Sequence, residues 1–141
     1  MAPPKTIIPT QNSNLLSSGR LSYEKKEIRA INKQYLELCA AILVRVTAKV
    51  YENIPGFDRG CVCGFRREHS QNDCFLAARV DREKIVYACQ ASTGLAALQR
   101  LEDEFETDPM LELQPFEPII PDEWQDVPPQ LIRSLHVKIF K

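Results

Sequence analysis

The sequence predicts an α+β fold in which an N-terminal helix caps a small, strongly bent antiparallel sheet of about five strands. Three observations favour this fold. Apolar residues at helical spacing over residues 28–42 give way to strand-like alternation at Val44. Three more short β-rich segments follow with short polar links, the pattern of an antiparallel meander. A proline-rich segment then leads to a last alternating segment, and 141 residues suffice for one domain.

Composition excludes several classes of protein. The chain carries 18 basic and 19 acidic residues, a formal charge of −1, so no global field attracts it to nucleic acid or acidic lipid. No apolar stretch is long enough to span a bilayer, and the first residues lack the pattern of a secretory signal. Five cysteines without such a signal make a disulfide framework improbable. We therefore expect an intracellular protein, cytoplasmic or nuclear, with no membrane partner.

The N-terminal region divides into an arm and a helix. Residues 1–20 contain three prolines and a run of Gln, Asn and Ser, which predicts a disordered arm ahead of one domain over residues 21–141. Ser22 can cap the helix that follows. Its apolar stripe, at spacings of three and four residues, consists of Ile28, Ile31, Tyr35, Leu38 and Ile42.

Four strands are predicted next, over residues 44–50, 61–65, 74–80 and 85–89. In the first, valines and an alanine alternate with polar residues, as in a strand buried on one face. The second follows a turn that contains Pro55 and Gly56, and the third and fourth are joined by a tight polar link. Ser92 or Thr93 then caps a second helix.

The C-terminal part combines an acidic segment with a last strand. Prolines in residues 106–130 prevent regular structure there. Ten acidic and no basic residues lie between 102 and 126, so this segment either folds back on its basic domain or binds a basic partner. Leu135, Val137 and Ile139 alternate with His136 and Lys138, which predicts a strand over residues 134–140 that completes the sheet.

Candidate chemical sites are few. Residue types at Cys61, Cys63, His69 and Cys74 suit zinc. We expect strand alternation to direct the first two thiols to opposite faces, so we predict no metal and keep a small zinc-binding interaction module as an alternative. The chain has only two histidines, no glycine-rich phosphate loop and no nucleophile elbow, which predicts a non-enzymatic protein without a cofactor.

One stretch resembles a known family. The sequence VRVTAKVYENIPGFDRGCVCGF places Gly60, Val62 and Phe65 where the Sm signature has a glycine, an apolar residue and an aromatic. Arg66 stands where RNA-binding Sm proteins have an aspartate, and CQASTG lacks their second motif. The chain therefore resembles the Gemin subunits of the SMN complex. This resemblance implies a non-catalytic Sm-like scaffold subunit in ribonucleoprotein (snRNP) assembly, without sequence-specific nucleic acid binding.

The resemblance also implies where a partner binds. Sm-like proteins pair edge to edge through their fourth and fifth strands, and unpaired apolar edges demand such a partner. Exposed aromatics in the acidic segment could add anchor points. An RWD-type interaction module of a kinetochore or other coiled-coil complex is the alternative, in which the C-terminal segment packs outside the sheet. The predicted partner-binding residues are Ile85, Val86, Tyr87, Leu135, Val137, Ile139, Phe140, Phe116 and Trp124.

Overall fold

The computed structural model describes residues 1–68 and 71–117, with side chains described outside residues 67–72. The fold is α+β with antiparallel sheets, as predicted, and no closed barrel is present in the described residues. None of the helices in these ranges is long and apolar enough to cross a membrane. After a 3₁₀ turn at Lys5–Ile7, the elements are β1 (Gln11–Leu15), β2 (Leu21–Lys25), α1 (Ile28–Asn53), β3 (Arg59–Glu68), β4 (Gln71–Asp81), α2 (Arg82–Ala88), α3 (Gly94–Leu98), β5 (Glu102–Glu104), β6 (Glu106–Thr107) and β7 (Leu113–Gln114).

Helix α1 is longer than predicted and absorbs the predicted first strand. Residues 44–50 continue the helix, because Leu36, Leu43, Thr47 and Tyr51 form one buried stripe of helical period across this stretch. That continuous burial outweighs the β propensity of the valines, which depends strongly on context. The predicted stripe is confirmed only in part, since Tyr35 is buried, whereas Ile28 and Ile42 are 63% and 38% exposed.

The central sheet has the strand order β3–β4–β5, with both pairings antiparallel. Its first two strands contain the predicted segments 61–65 and 74–80, so both strand predictions are confirmed. Strand β4 lies in the middle and contributes Leu76, Ala78 and Val80 to the core that it shares with α1. The register shifts between Gly64 and Phe65, which indicates a β-bulge.

The predicted fourth strand is wrong, because residues 85–88 belong to α2 and not to a strand. Asp81 caps this helix, with Oδ1 accepting a hydrogen bond of 2.8 Å from the backbone N–H of Lys84. The polar residues that we predicted as a tight link are therefore the first turn of a helix. Thr93 caps α3 in the same way, as predicted, with Oγ1 accepting from the Ala96 N–H at 3.2 Å.

The N-terminal segment is structured, which contradicts the predicted disordered arm. Strands β1 and β2 pair in register from Gln11 opposite Lys25 to Leu15 opposite Leu21. Gly19 supplies the left-handed residue of the connecting turn, with φ of 78°. Upstream, the Ala2 N–H donates to the Phe65 carbonyl at 2.7 Å, which joins the chain start to β3.

The acidic segment begins by folding back on its own domain. Asp108 organises a tight loop, with Oδ1 accepting from the backbone N–H groups of Met110 (2.9 Å) and Glu112 (2.8 Å). Lys5 pairs with Glu112 at 2.9 Å. The short pairing of β6 with β7 contradicts the expectation that residues 106–130 lack regular structure. The predicted strand at 134–140 lies outside the described residues.

Arg82 fixes the C-terminal end of α1. Its Nη1 donates to the Tyr51 carbonyl at 3.2 Å, and its Nη2 donates to the carbonyls of Pro55 and Phe57, each at 3.0 Å. The Tyr51 hydroxyl in turn donates to the Val80 carbonyl of β4 at 2.8 Å. Since the last carbonyls of a helix have no partners within the helix, this arginine stabilises the helix end and ties it to the sheet.

Candidate functional site

The predicted edge residues do not form a sheet edge. Ile85 is buried in the core at 3% exposure, whereas Val86 and Tyr87 are 58% and 55% exposed on the outer side of α2. The Arg100 guanidinium lies 4.3 Å from the Tyr87 ring centre. Phe116 is half-buried, and its N–H donates to the Cys74 carbonyl at 3.0 Å. The other predicted partner-binding residues lie outside the described residues; they are Trp124, Leu135, Val137, Ile139 and Phe140.

The cysteines on the sheet do not separate as we expected. Cys61 pairs with Arg79 and Cys63 with Ala77, and residues two apart on a strand share a face, so the expectation of opposite faces is wrong. The Cys74 thiol hydrogen-bonds Cys63, which lowers the pKa of Cys63 and raises that of Cys74. The described residues hold no group of three His, Cys, Asp or Glu side chains suited to a metal. His69 lies outside this range.

The N-terminal half of α1 carries a cluster of buried polar side chains. Asn32, at 2% exposure, donates from Nδ2 to the Met110 carbonyl at 2.9 Å, while its Oδ1 has no hydrogen-bond partner among the described residues. The Tyr35 hydroxyl donates to the Pro3 carbonyl at 2.7 Å. The gap beside these groups has no room even for a water molecule. The cluster therefore anchors the chain start and the 108–112 loop to α1.

Burial has a measurable consequence at Tyr35, whose pKa it raises to about 12. Above the ordinary tyrosine pKa near 10, the unfolded chain loses this proton while the folded chain retains it. Stability is therefore lost as the pH rises from about 10 towards 12, by up to about 2–3 kcal/mol. We expect Tyr35→Phe to unfold with a shallower loss of stability over this range, measured by urea unfolding at several pH values.

The matched control for that experiment is Tyr23→Phe, which removes a phenol that is 63% exposed on β2. Its loss of stability between pH 10 and 12 should equal that of the wild type. Equal slopes for Tyr35→Phe and the wild type would contradict burial of an un-ionised Tyr35.

The first apolar surface is the β1–β2 hairpin. Nine of its ten strand residues are exposed, and Ser22 is half-buried. Large apolar side chains are nevertheless concentrated around its turn, with Leu15 at 73%, Leu16 at 49%, Leu21 at 57% and Tyr23 at 63% exposure. Sequence reasoning missed this surface because it predicted that residues 1–20 are disordered. Leu15 and Leu21 on either side of a Ser-Ser-Gly turn were the available signal.

The second apolar surface is a groove on the C-terminal half of α1, which we call the α1 groove. It is shallow and open to solvent, and its lining is almost entirely apolar. Val46 is 48% and Ile54 52% exposed, and Ile42 continues the same surface towards the N-terminus at 38%. The residues that line the groove are Arg45, Val46, Lys49, Val50, Asn53 and Ile54.

Sequence reasoning missed this groove because it assigned residues 44–50 to a strand. The spacing of four residues that joins Ile42, Val46, Val50 and Ile54 was the available signal for a second apolar row on a long helix.

Comparison of the chain with protein-family models, with curated proteins and with solved structures finds no match.

Proposed function

We propose that the protein is a non-catalytic protein-interaction module that contacts its partner through the β1–β2 hairpin. The observation that carries this proposal is the cluster of exposed apolar side chains around the hairpin turn, Leu15, Leu16, Leu21 and Tyr23. Large exposed apolar patches on otherwise well-packed proteins mark interaction surfaces. No enzymatic role is needed to account for this surface.

The low stability expected of an isolated hairpin supports the proposal that a partner binds it. A two-stranded hairpin is at best marginally stable alone in water, and this one contributes no residue to the buried core. Full burial of one leucine side chain contributes about 1.5–3 kcal/mol, so inserting Leu16 and Leu21 into a partner would both stabilise the hairpin and drive association.

The proposal is narrower than the role implied by the Sm resemblance. Edge-to-edge pairing in ribonucleoprotein assembly required a fourth strand at residues 85–89, and residues 85–88 are helical. The second edge, at residues 134–140, lies outside the described residues. What remains of that role in the proposal is a scaffold subunit that binds another protein. No observation favours the RWD-type or zinc-binding alternative over it.

The test replaces Leu16 and Leu21 with serine in the full chain. Wild-type protein should retain a stoichiometric protein partner from native extract, and light scattering of the complex should give a higher mass than that of the protein alone. The double variant Leu16→Ser/Leu21→Ser should lose the partner, while its circular dichroism spectrum stays that of the wild type. Ile28→Ser, which changes another 63% exposed apolar residue at the start of α1, is the matched control and should retain the partner. A monomeric wild type without a partner, or a double variant that keeps it, would overturn the proposal.

A further inference from the structure

We propose that the α1 groove binds an acidic amphipathic helix of a partner protein. This inference rests on the proposed interaction function but uses a different surface from the hairpin and names the chemistry of the bound segment. The groove presents an apolar row formed by Ile42, Val46, Val50 and Ile54, with Arg45 and Lys49 along its solvent side.

The shape of the row suits a helix. Its residues repeat every four positions, which makes it a ridge of the type that interdigitates with the equivalent ridge of another helix at a crossing angle of about −50°. From Ile42 to Ile54 the row extends about 18 Å along the axis, or roughly three turns. A partner helix of about 14 residues would present an equivalent ridge of the same length.

The charges beside the row determine which charge the partner helix should carry. Arg45 forms no ion pair with any described residue. Lys49 pairs with Glu52 at 2.5 Å, but both side chains are exposed, at 62% and 59%. Such surface pairs contribute at most about 1 kcal/mol and exchange readily. Carboxylates flanking the apolar residues of a bound helix would meet both cations.

The same charges disfavour a second copy of this chain. If two α1 helices packed antiparallel about a two-fold axis, their Arg45 and Lys49 side chains would lie on the same side of the interface. Like charges brought together in this way are destabilising. Two cations are also fewer than the polybasic clusters of four to eight that read as sites for anionic lipid. A partner with flanking carboxylates is therefore the occupant that fits.

The groove is held in shape before binding. The opposite face of the same helix segment buries Leu43, Val44 and Tyr51 in the core. Arg82 fixes the helix end through the carbonyls of Tyr51, Pro55 and Phe57. A surface that is rigid when free loses little conformational entropy on binding, which favours affinity.

The test uses designed peptides of about 14 residues with leucines at positions i and i+4 and either glutamates or lysines on the flanks. Fluorescence anisotropy with the full chain should show binding of the glutamate peptide, weakening as salt is added. Arg45→Glu/Lys49→Glu should lose at least about tenfold in affinity for it, about 1.4 kcal/mol, and should now bind the lysine peptide. Arg29→Glu/Lys33→Glu makes the same charge change near the N-terminal end of α1 and should bind like the wild type.

Three results would overturn the inference. Equal binding of the glutamate and lysine peptides to the wild type would remove the charge argument. Dimerisation of the wild type that Val46→Asp abolishes would assign the groove to a second copy, and binding to anionic vesicles in preference to the glutamate peptide would assign it to lipid. Leu16→Ser/Leu21→Ser should leave peptide binding unchanged, so failure of the hairpin proposal and failure of this one are distinguishable.

Discussion

Replacing Leu98 with alanine is expected to lower the free energy of unfolding by about 2–5 kcal/mol. Leu98 ends α3 with 0% exposure and is among the largest side chains that are fully buried. Truncation removes its apolar contacts and leaves a cavity that the surrounding helices and sheet fill only in part. Small domains are stabilised by only about 5–15 kcal/mol in total, so the loss should be plain in urea unfolding followed by circular dichroism.

Leu15→Ala provides the matched control, because it makes the same change at a side chain that is 73% exposed on β1. It should change the free energy of unfolding by less than about 0.5 kcal/mol. Equal effects of the two substitutions would show that α3 does not bury Leu98 in the core.

The parts of the fold that could be predicted are those in which local pattern and tertiary burial agree. Strand β3 follows a proline–glycine turn, and both β3 and β4 are rich in apolar residues and lie where the sequence places them. The N-cap of α3 was also predictable, because Thr93 is a residue type that favours that position.

The failures occur where one segment fits two periods. Residues 44–50 alternate like a strand, yet Leu43, Thr47 and Tyr51 keep them in register with the buried face of α1. Only the burial of that face in the core decides between the two. In residues 85–88, the spacing of three between Ile85 and Ala88 favours the helix α2. The β-rich composition of the segment favoured a strand more strongly.

Two of the candidate sites were misjudged for the same reason, and the hairpin was missed for a different one. A partner-binding edge inferred from residues 85–87 disappears once they are helical, because Ile85 then turns into the core. The α1 groove arises only when residues 42–53 belong to one helix, because Ile42, Val46 and Val50 are then neighbours along one row of its surface. The hairpin surface depends on pairing between Leu15 and Leu21, a contact that composition alone does not reveal.

Replacing Gly94 with alanine is expected to lower the free energy of unfolding by about 1–3 kcal/mol. Gly94 begins α3 where it crosses α1, and a Cβ added there would lie 2.7 Å from the Ala41 nitrogen and 2.8 Å from the Ala41 Cβ. These are a backbone nitrogen and a Cβ in the middle of the long helix α1, which cannot rotate away, so the two helices must separate. The φ of Gly94 lies outside the left-handed region, so the cost is steric and not conformational.

Gly56→Ala makes the same chemical change at a glycine whose added Cβ would meet nothing within 4 Å. Its φ is also outside the left-handed region, so this control should be neutral or stabilise the protein by up to about 1 kcal/mol through the unfolded state. Urea unfolding of both variants would distinguish the steric cost of the contact with Ala41 from the general effect of replacing a glycine on stability. If Gly94→Ala matched Gly56→Ala, the close approach of α3 to α1 at Ala41 would be refuted, because a methyl group placed between two rigid backbones cannot be accommodated without cost.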